Sequence, residues 1–229
     1  MPIQEARHNR TAFRREVNAT RAIVATLGVL FAISGMNHGL FETLQGNAPT
    51  PGLFIHSIGP ANQMWAYGTE DAFTLIPNFL WTGIAAIAVS LAIVVWSVGF
   101  VHKRQGSLVF ILLFVLLLLV GGGVAQVVFF TLAWAVSTRI NKPVAWLKSC
   151  LPGRVRMAVG KLWPWFLAGF TLLGLSALEI AIAGYVPGIR DAKQVLYTCW
   201  SLLGIGLALL VLAIVSGLVH DVDRGQFRP

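Results

Sequence analysis

His38 and Glu42 stand four residues apart, the spacing that puts two side chains on one face of a helix. An imidazole and a carboxylate so placed can ligate one metal ion, or the carboxylate can orient the imidazole as a general base. His56, Glu70 and Asp71 follow in the next stretch. If they return to the end of the same helix, the set of nitrogens and oxygens suits zinc, iron or manganese. The chain contains no HExxH motif. The alternative for these residues is a polar cap that hydrogen-bonds the irregular backbone between residues 43 and 71.

Glu179 is the one acid placed inside a long apolar window. An ionisable group at membrane depth is costly unless it is paired or reached by water, so Glu179 is a candidate for ion coupling or substrate contact. Its alternative is an interface position, with Arg190 as a partner in reach along the chain. Gln126, Asn37 and Asn78 are further candidate substrate or ion contacts. Ser57 follows His56, but adjacent residues in an irregular segment do not make a nucleophile and its base.

Several chemistries are excluded by pattern. There is no P-loop, no GxGxxG and no GxSxG elbow. The CxxCH of covalent c-type haem is absent, and the axial candidates His38, His102 and His220 all fall at the ends of apolar windows rather than deep within them. Cys150 and Cys199 match neither a disulfide pair nor a CxxC motif. The sequence leaves cofactors open.

The elements that must position these residues are membrane-length segments. Of 229 residues 56% are hydrophobic and only 11% charged, with a mean hydropathy of +0.74. A soluble domain carries charge on about a quarter of its residues. Here charge occurs in islands between apolar windows, each long enough or nearly so to cross a hydrocarbon core of roughly 30 Å. The expected fold is therefore an all-α, polytopic transmembrane helix bundle with five clear spans, at about 22–41, 77–100, 107–134, 162–184 and 195–220. A basic leader occupies 1–21, an ordered segment broken by Pro49, Pro51 and Pro60 occupies 43–76, a basic connection occupies 135–161, and a short tail occupies 221–229. The third window exceeds one bilayer thickness, which predicts a tilt or a kink, and Gly121-Gly122-Gly123 is the natural place for it.

The net charge of +8 gathers beside the spans, where Lys and Arg meet anionic lipid headgroups; no basic and aromatic interleaving points to nucleic acid. With a cytoplasmic N-terminus in a plasma (inner) membrane, five spans distribute Lys and Arg almost evenly between the two sides, against the positive-inside rule. A sixth, broken or re-entrant crossing between Leu53 and Thr69 restores the bias, yet Pro60 and Asn62 make that stretch a poor helix. Charge favours six crossings and backbone chemistry favours five. The function classes that follow are a small transporter or membrane subunit of a transport assembly, a membrane-embedded enzyme or redox protein built on His38, Glu42, His56, Glu70 and Asp71, and a non-catalytic accessory or scaffold protein. The expected partners are the lipid bilayer and other membrane subunits or further copies of the chain.

Overall fold

A computed structural model describes residues 18–140, 142, 144 and 146–223. The basic leader through Val17 and the tail from Arg224 lie outside the described residues. Helix α1 (Ala19–Leu44) is the central element. Asn18 caps it by accepting from the Arg21 backbone N–H, and Asp221 reaches across from the far end of the chain to accept from Ala19 N, Thr20 N and Thr20 Oγ1 at 2.7–2.9 Å. Those donors are ones a helix start leaves without intrahelical partners. The Asn18 side chain also donates to Ile140 O, so the amide of the Asn18-Ala19-Thr20 tripeptide is occupied inside the protein.

Helix α2 (Phe79–Gly99) runs back along α1. The two helices approach closely because small residues face each other: a methyl group on Gly39 would sit 2.6 Å from the Gly83 carbonyl oxygen, and one on Gly35 would sit 2.6 Å from Ser90 Oγ. Lipid supplies no hydrophobic drive between helices, so close backbone packing of this kind carries much of their association.

The apolar window 107–134 departs from a single span. It forms α3 (Gly106–Leu119), a strand β3 (Val120–Gly123) and α4 (Gln126–Ser137). Helix α4 folds back beside α3, with Phe114 stacked on Phe130 at a centroid separation of 5.3 Å. The chain thus climbs along α1 from Phe110 beside Gly28 to Gly121 beside Glu42, then descends until Ile140 meets Asn18. The kink expected at the glycine triplet is a full reversal. Two short helices replace the tilted long one, and neither alone has the length of the four long apolar helices.

Short helices α5 (Leu147–Cys150) and α6 (Gly153–Val159) lead into α7 (Trp163–Ala183), which begins with Pro164 in its first turn and ends at Gly184 in the left-handed region. Helix α8 (Ala192–Asp223) packs along α7 and returns to the start of α1. The four helices long and apolar enough to cross a membrane are α1, α2, α7 together with α6, and α8. Their outward faces are apolar, with Trp81, Val95, Leu172, Trp200 and Val211 exposed, as an environment of lipid requires.

The body of the protein is the expected helical bundle, but one end carries a three-stranded antiparallel sheet in the order β1-β2-β3. Strand β1 (Phe54–His56) pairs with β2 (Asp71–Thr74), and β2 pairs with β3 from the α3–α4 reversal. The segment 45–78 leaves α1 and rejoins α2 at this same end: Asn78 Nδ2 donates to Asn47 Oδ1, and Thr50 N to Pro77 O. It lies over the bundle rather than through it, while the reversal within residues 106–140 brings Ile140 back to the start of α1.

The placement of charge follows. Arg21, Lys103, Arg104, Arg139, Lys142, Lys148, Arg154, Arg156 and Lys161 belong to the end where α1 starts and α8 finishes, which we call the charged end. Among the described residues, only Arg190 and Lys193 carry Lys or Arg charge at the sheet end. Single cysteines placed at Lys103 and at Lys142, in a background lacking Cys150 and Cys199, are expected to label from the same side of intact membranes, and cysteines at Met64 and Gly188 from the other. Labelling of positions 103 and 142 from opposite sides would restore a single crossing by residues 107–134.

Candidate functional site

The site is assembled by alternation in the β1–β2 pair. Successive strand residues point to opposite faces. His56 and Asp71, directly opposite in the register, point outward and pair at 2.9 Å while about two-thirds exposed. The next pair along is Ser57 and Glu70, joined by a 2.8 Å bond from Ser57 N to Glu70 O, and it points inward to the last turns of α1. Gln45, just past α1, fixes this strand end by donating to the carbonyls of His56 and Ser57.

There Ser57 and Glu70 meet His38 and Glu42. Ser57 Oγ lies 2.7 Å from His38 Nδ1 and donates to Glu42 Oε1 at 2.9 Å, while His38 Nε2 lies 2.6 Å from Glu70 Oε2. His38, Glu42 and Ser57 are all buried, and Glu70 is about a quarter exposed. The glycine triplet is explained by the same contacts. Gly121, at φ 110°, passes over the Glu42 carboxyl, and a side chain at Gly123 would start 2.5 Å from His38 Nε2. Only a strand without side chains fits over these two groups.

Four groups are joined by three hydrogen bonds, and each bond needs one proton. With Ser57 donating to Glu42, its oxygen accepts from His38 Nδ1–H, and one further proton is shared by His38 Nε2 and Glu70. Such a line of alternating donors and acceptors can pass a proton from one carboxyl to the other, which is what a proton relay requires. Burial by itself would raise the Glu70 carboxyl, but the hydrogen bond and charge of His38 outweigh it and hold the group below its ordinary value of 4.5.

Glu70 and His38 form the polar wall of a cavity of about 540 Å³. Its remaining walls come from Leu30, Phe31 and Ser34 of α1, Gly123 to Phe129 at the start of α4, Phe170 to Ala181 of α7, and Cys199 to Gly206 of α8. Phe54, Thr69 and Asp71 stand at its mouth. It extends about 12 Å along α1, from His38 down to Leu30. Below Leu30 the bundle is filled by Ile23, Val24, Leu27, Leu210 and Ala213, all fully buried. The cavity is blind toward the charged end. Trp65 roofs the α7 side, donating from Nε1 to Ala181 O at 2.9 Å and packing against Gly184.

The residues singled out from the sequence separate into distinct places. His38, Glu42 and Glu70 come together, with Ser57 as the link that sequence reasoning set aside. His56 and Asp71 share the same sheet but face away from that chain. Among the described residues no three His, Cys, Asp or Glu side chains are grouped to hold a metal ion. Both nitrogens of His38 are occupied by protein partners. His102 and His220 lie at the charged end, remote from His38.

Gln126 lines the cavity and donates to Ser34 Oγ at 3.0 Å. Asn37 is half-buried on α1, and Asn78 caps α2. Glu179 is exposed on the outside of α7, with no ion pair to Arg190 among the described residues. Strand alternation is the signal that would have found Ser57: His56-Ser57 and Glu70-Asp71 each offer one inward and one outward polar side chain.

Comparison with protein-family models, with curated proteins and with solved structures found no match to this chain. The long apolar helices and their lipid-like outer faces define an integral, polytopic membrane protein.

Two outcomes test the relay. Ser57→Ala removes the link between a buried imidazole and a buried carboxyl, and is expected to destabilise the protein by about 1–3 kcal/mol, read as a lower denaturation midpoint in detergent. Because the folded value of Glu70 is depressed, its contribution to stability is fully present above about pH 4.5 and is lost as pH falls through the folded value. Glu70→Gln is therefore expected to flatten the dependence of Tm on pH below 4.5. An unchanged slope would show that Glu70 is not held by His38.

Proposed function

We propose that the protein binds a lipophilic small molecule within the sheet-end half of the membrane and exchanges a proton with the molecule's polar head through Glu70 and the His38–Ser57–Glu42 chain. The observation that carries this reading is the coincidence of a largely apolar cavity with one polar wall, where the wall is the exposed end of a hydrogen-bonded chain. A volume of about 540 Å³ falls in the range of small-molecule sites, roughly 300–1,000 Å³, and apolar walls with a few placed polar groups are their usual composition. An acid–base pair at the head of a bound molecule favours a membrane-embedded enzyme, and the filled lower half of the bundle counts against an open route through it.

Transport is the second reading. Helices α1 to α4 pack as one group and α7 with α8 as another, while α4 makes little contact with either α7 or α8. The cavity lies along that seam, where rocking of one group against the other would open it. In either reading the positive-inside rule places the charged end in the cytoplasm and the cavity mouth on the opposite side of a plasma (inner) membrane.

Gly206→Phe tests the cavity. The glycine lines it, and a Cβ there would meet only Leu173 and Phe170, at 3.8 Å, so the ring enters open space without forcing the backbone. The variant is expected to fold with an unchanged or raised Tm, since glycine within a helix costs about 1 kcal/mol relative to alanine. Solvent extraction and mass spectrometry of the purified proteins should show a lipophilic compound in the wild type that is depleted in the variant. Equal organic content in both would sink the reading.

A further inference from the structure

We propose that the molecule the cavity takes is a lipophilic amine, bound as its ammonium ion with the nitrogen at Glu70 and Gln126. This inference rests on the reading of the cavity as a ligand site and adds the charge of the ligand. Glu70 is the only member of the Glu42–Ser57–His38–Glu70 chain with appreciable exposure, and it presents its carboxyl group to the cavity. Among the described residues no Lys or Arg lines the cavity beside it. An acidic group at membrane depth is costly to ionise, and a cation entering the cavity lowers that cost.

Hydrogen-bond accounting adds an independent constraint. Gln126 is 6% exposed and uses Nε2 to donate to Ser34, while its Oε1 accepts no hydrogen bond from the described residues. Glu70 is likewise an acceptor. Two acceptors at the cavity head call for a donor, and an ammonium group has only donors to offer. The adjoining wall is the stacked pair Phe31 and Phe129, at 5.1 Å, whose ring faces attract a desolvated cation. An alkylamine has a pKa near that of lysine, about 10, and so enters charged at neutral pH. A carboxylate would meet Glu70 with like charge, and an alcohol would leave that charge in place.

The test uses three alkyl probes of equal length, each with a diazirine in the chain, bearing an ammonium, a hydroxyl or a carboxylate head. Full-length protein in nanodiscs of zwitterionic phospholipid is photolabelled at pH 7, and the sites are mapped by mass spectrometry. The ammonium probe is expected to label α4 near Phe129 and α8 near Leu203 roughly tenfold more than the hydroxyl probe, the gain of about one charge-assisted hydrogen bond. Glu70→Gln should reduce ammonium labelling to the hydroxyl level. Gln126→Leu, which leaves the Glu70–His38 pair intact, should lower ammonium labelling roughly threefold.

Equal labelling of the cavity by ammonium and hydroxyl probes would overturn the inference while leaving the cavity as a ligand site. A preference for ammonium that survives in both variants would overturn it as well. If no probe labels the cavity above the lipid-facing surface of α2 around Val95, the ligand-site reading falls with it.

Discussion

The hydrogen-bonded chain from Glu42 to Glu70 is the constraint on which the sheet end depends. Glu42 and His38 sit in the last turns of the most buried helix, where water cannot serve them. Burying such groups without partners costs several kcal/mol each. Helices alone offer no free partner, because their backbone groups are used internally. The β1–β2 pair supplies the missing hydroxyl and carboxylate, and β3 supplies a backbone thin enough to close over both. The reversal between α3 and α4, the glycine triplet and the sheet are thus consequences of one need, to satisfy and cover two polar side chains on α1.

The two ends of the bundle meet comparable needs differently. At the charged end Asp221 accepts from two open N–H groups of α1 and from the Thr20 hydroxyl, and the space above it is filled with Ile23, Val24 and Leu27 against α8. At the sheet end the hydrogen bonds are complete for Ser57 and His38, but Gln126 keeps an acceptor without a partner and Glu42 Oε2 is buried without a bond. Gln126 stands beside the open volume, which is where a ligand has something to contribute.

Much of this architecture was legible in the chain. The uncharged windows located α1, α2, α7 and α8 closely, because a membrane demands length and apolarity and little else. Residues 107–134 misled for the same reason: hydropathy reports where lipid is tolerated and says nothing about direction of travel. A run that is apolar throughout reads alike as one long helix or as two short ones joined by Gly121-Gly122-Gly123. The charge distribution offered a second signal. It asked for one more passage, which the proline-rich segment was a poor candidate to make, and the glycine triplet was the only other break. At the site, the i, i+4 pair of His38 and Glu42 was readable from spacing. Ser57 was hidden because its partner is nineteen residues away across a loop, and strands of three and four residues leave little periodic signal.

A metal centre and a proton relay draw on the same residue types, so composition cannot separate them; what separates them is where the lone pairs go. A ligating imidazole must keep one nitrogen for the metal, with the other held by an outer partner. In His38 both nitrogens point at protein oxygens, Ser57 on one side and Glu70 on the other. The serine matters most to this argument. Being able to donate and accept at once, it joins the imidazole to the Glu42 carboxyl and links two carboxyl groups into one hydrogen-bonded unit while keeping them apart. That unit has a buried end closed over by Gly121 and an end open to the cavity at Glu70, so any change in its charge must be balanced from the cavity side.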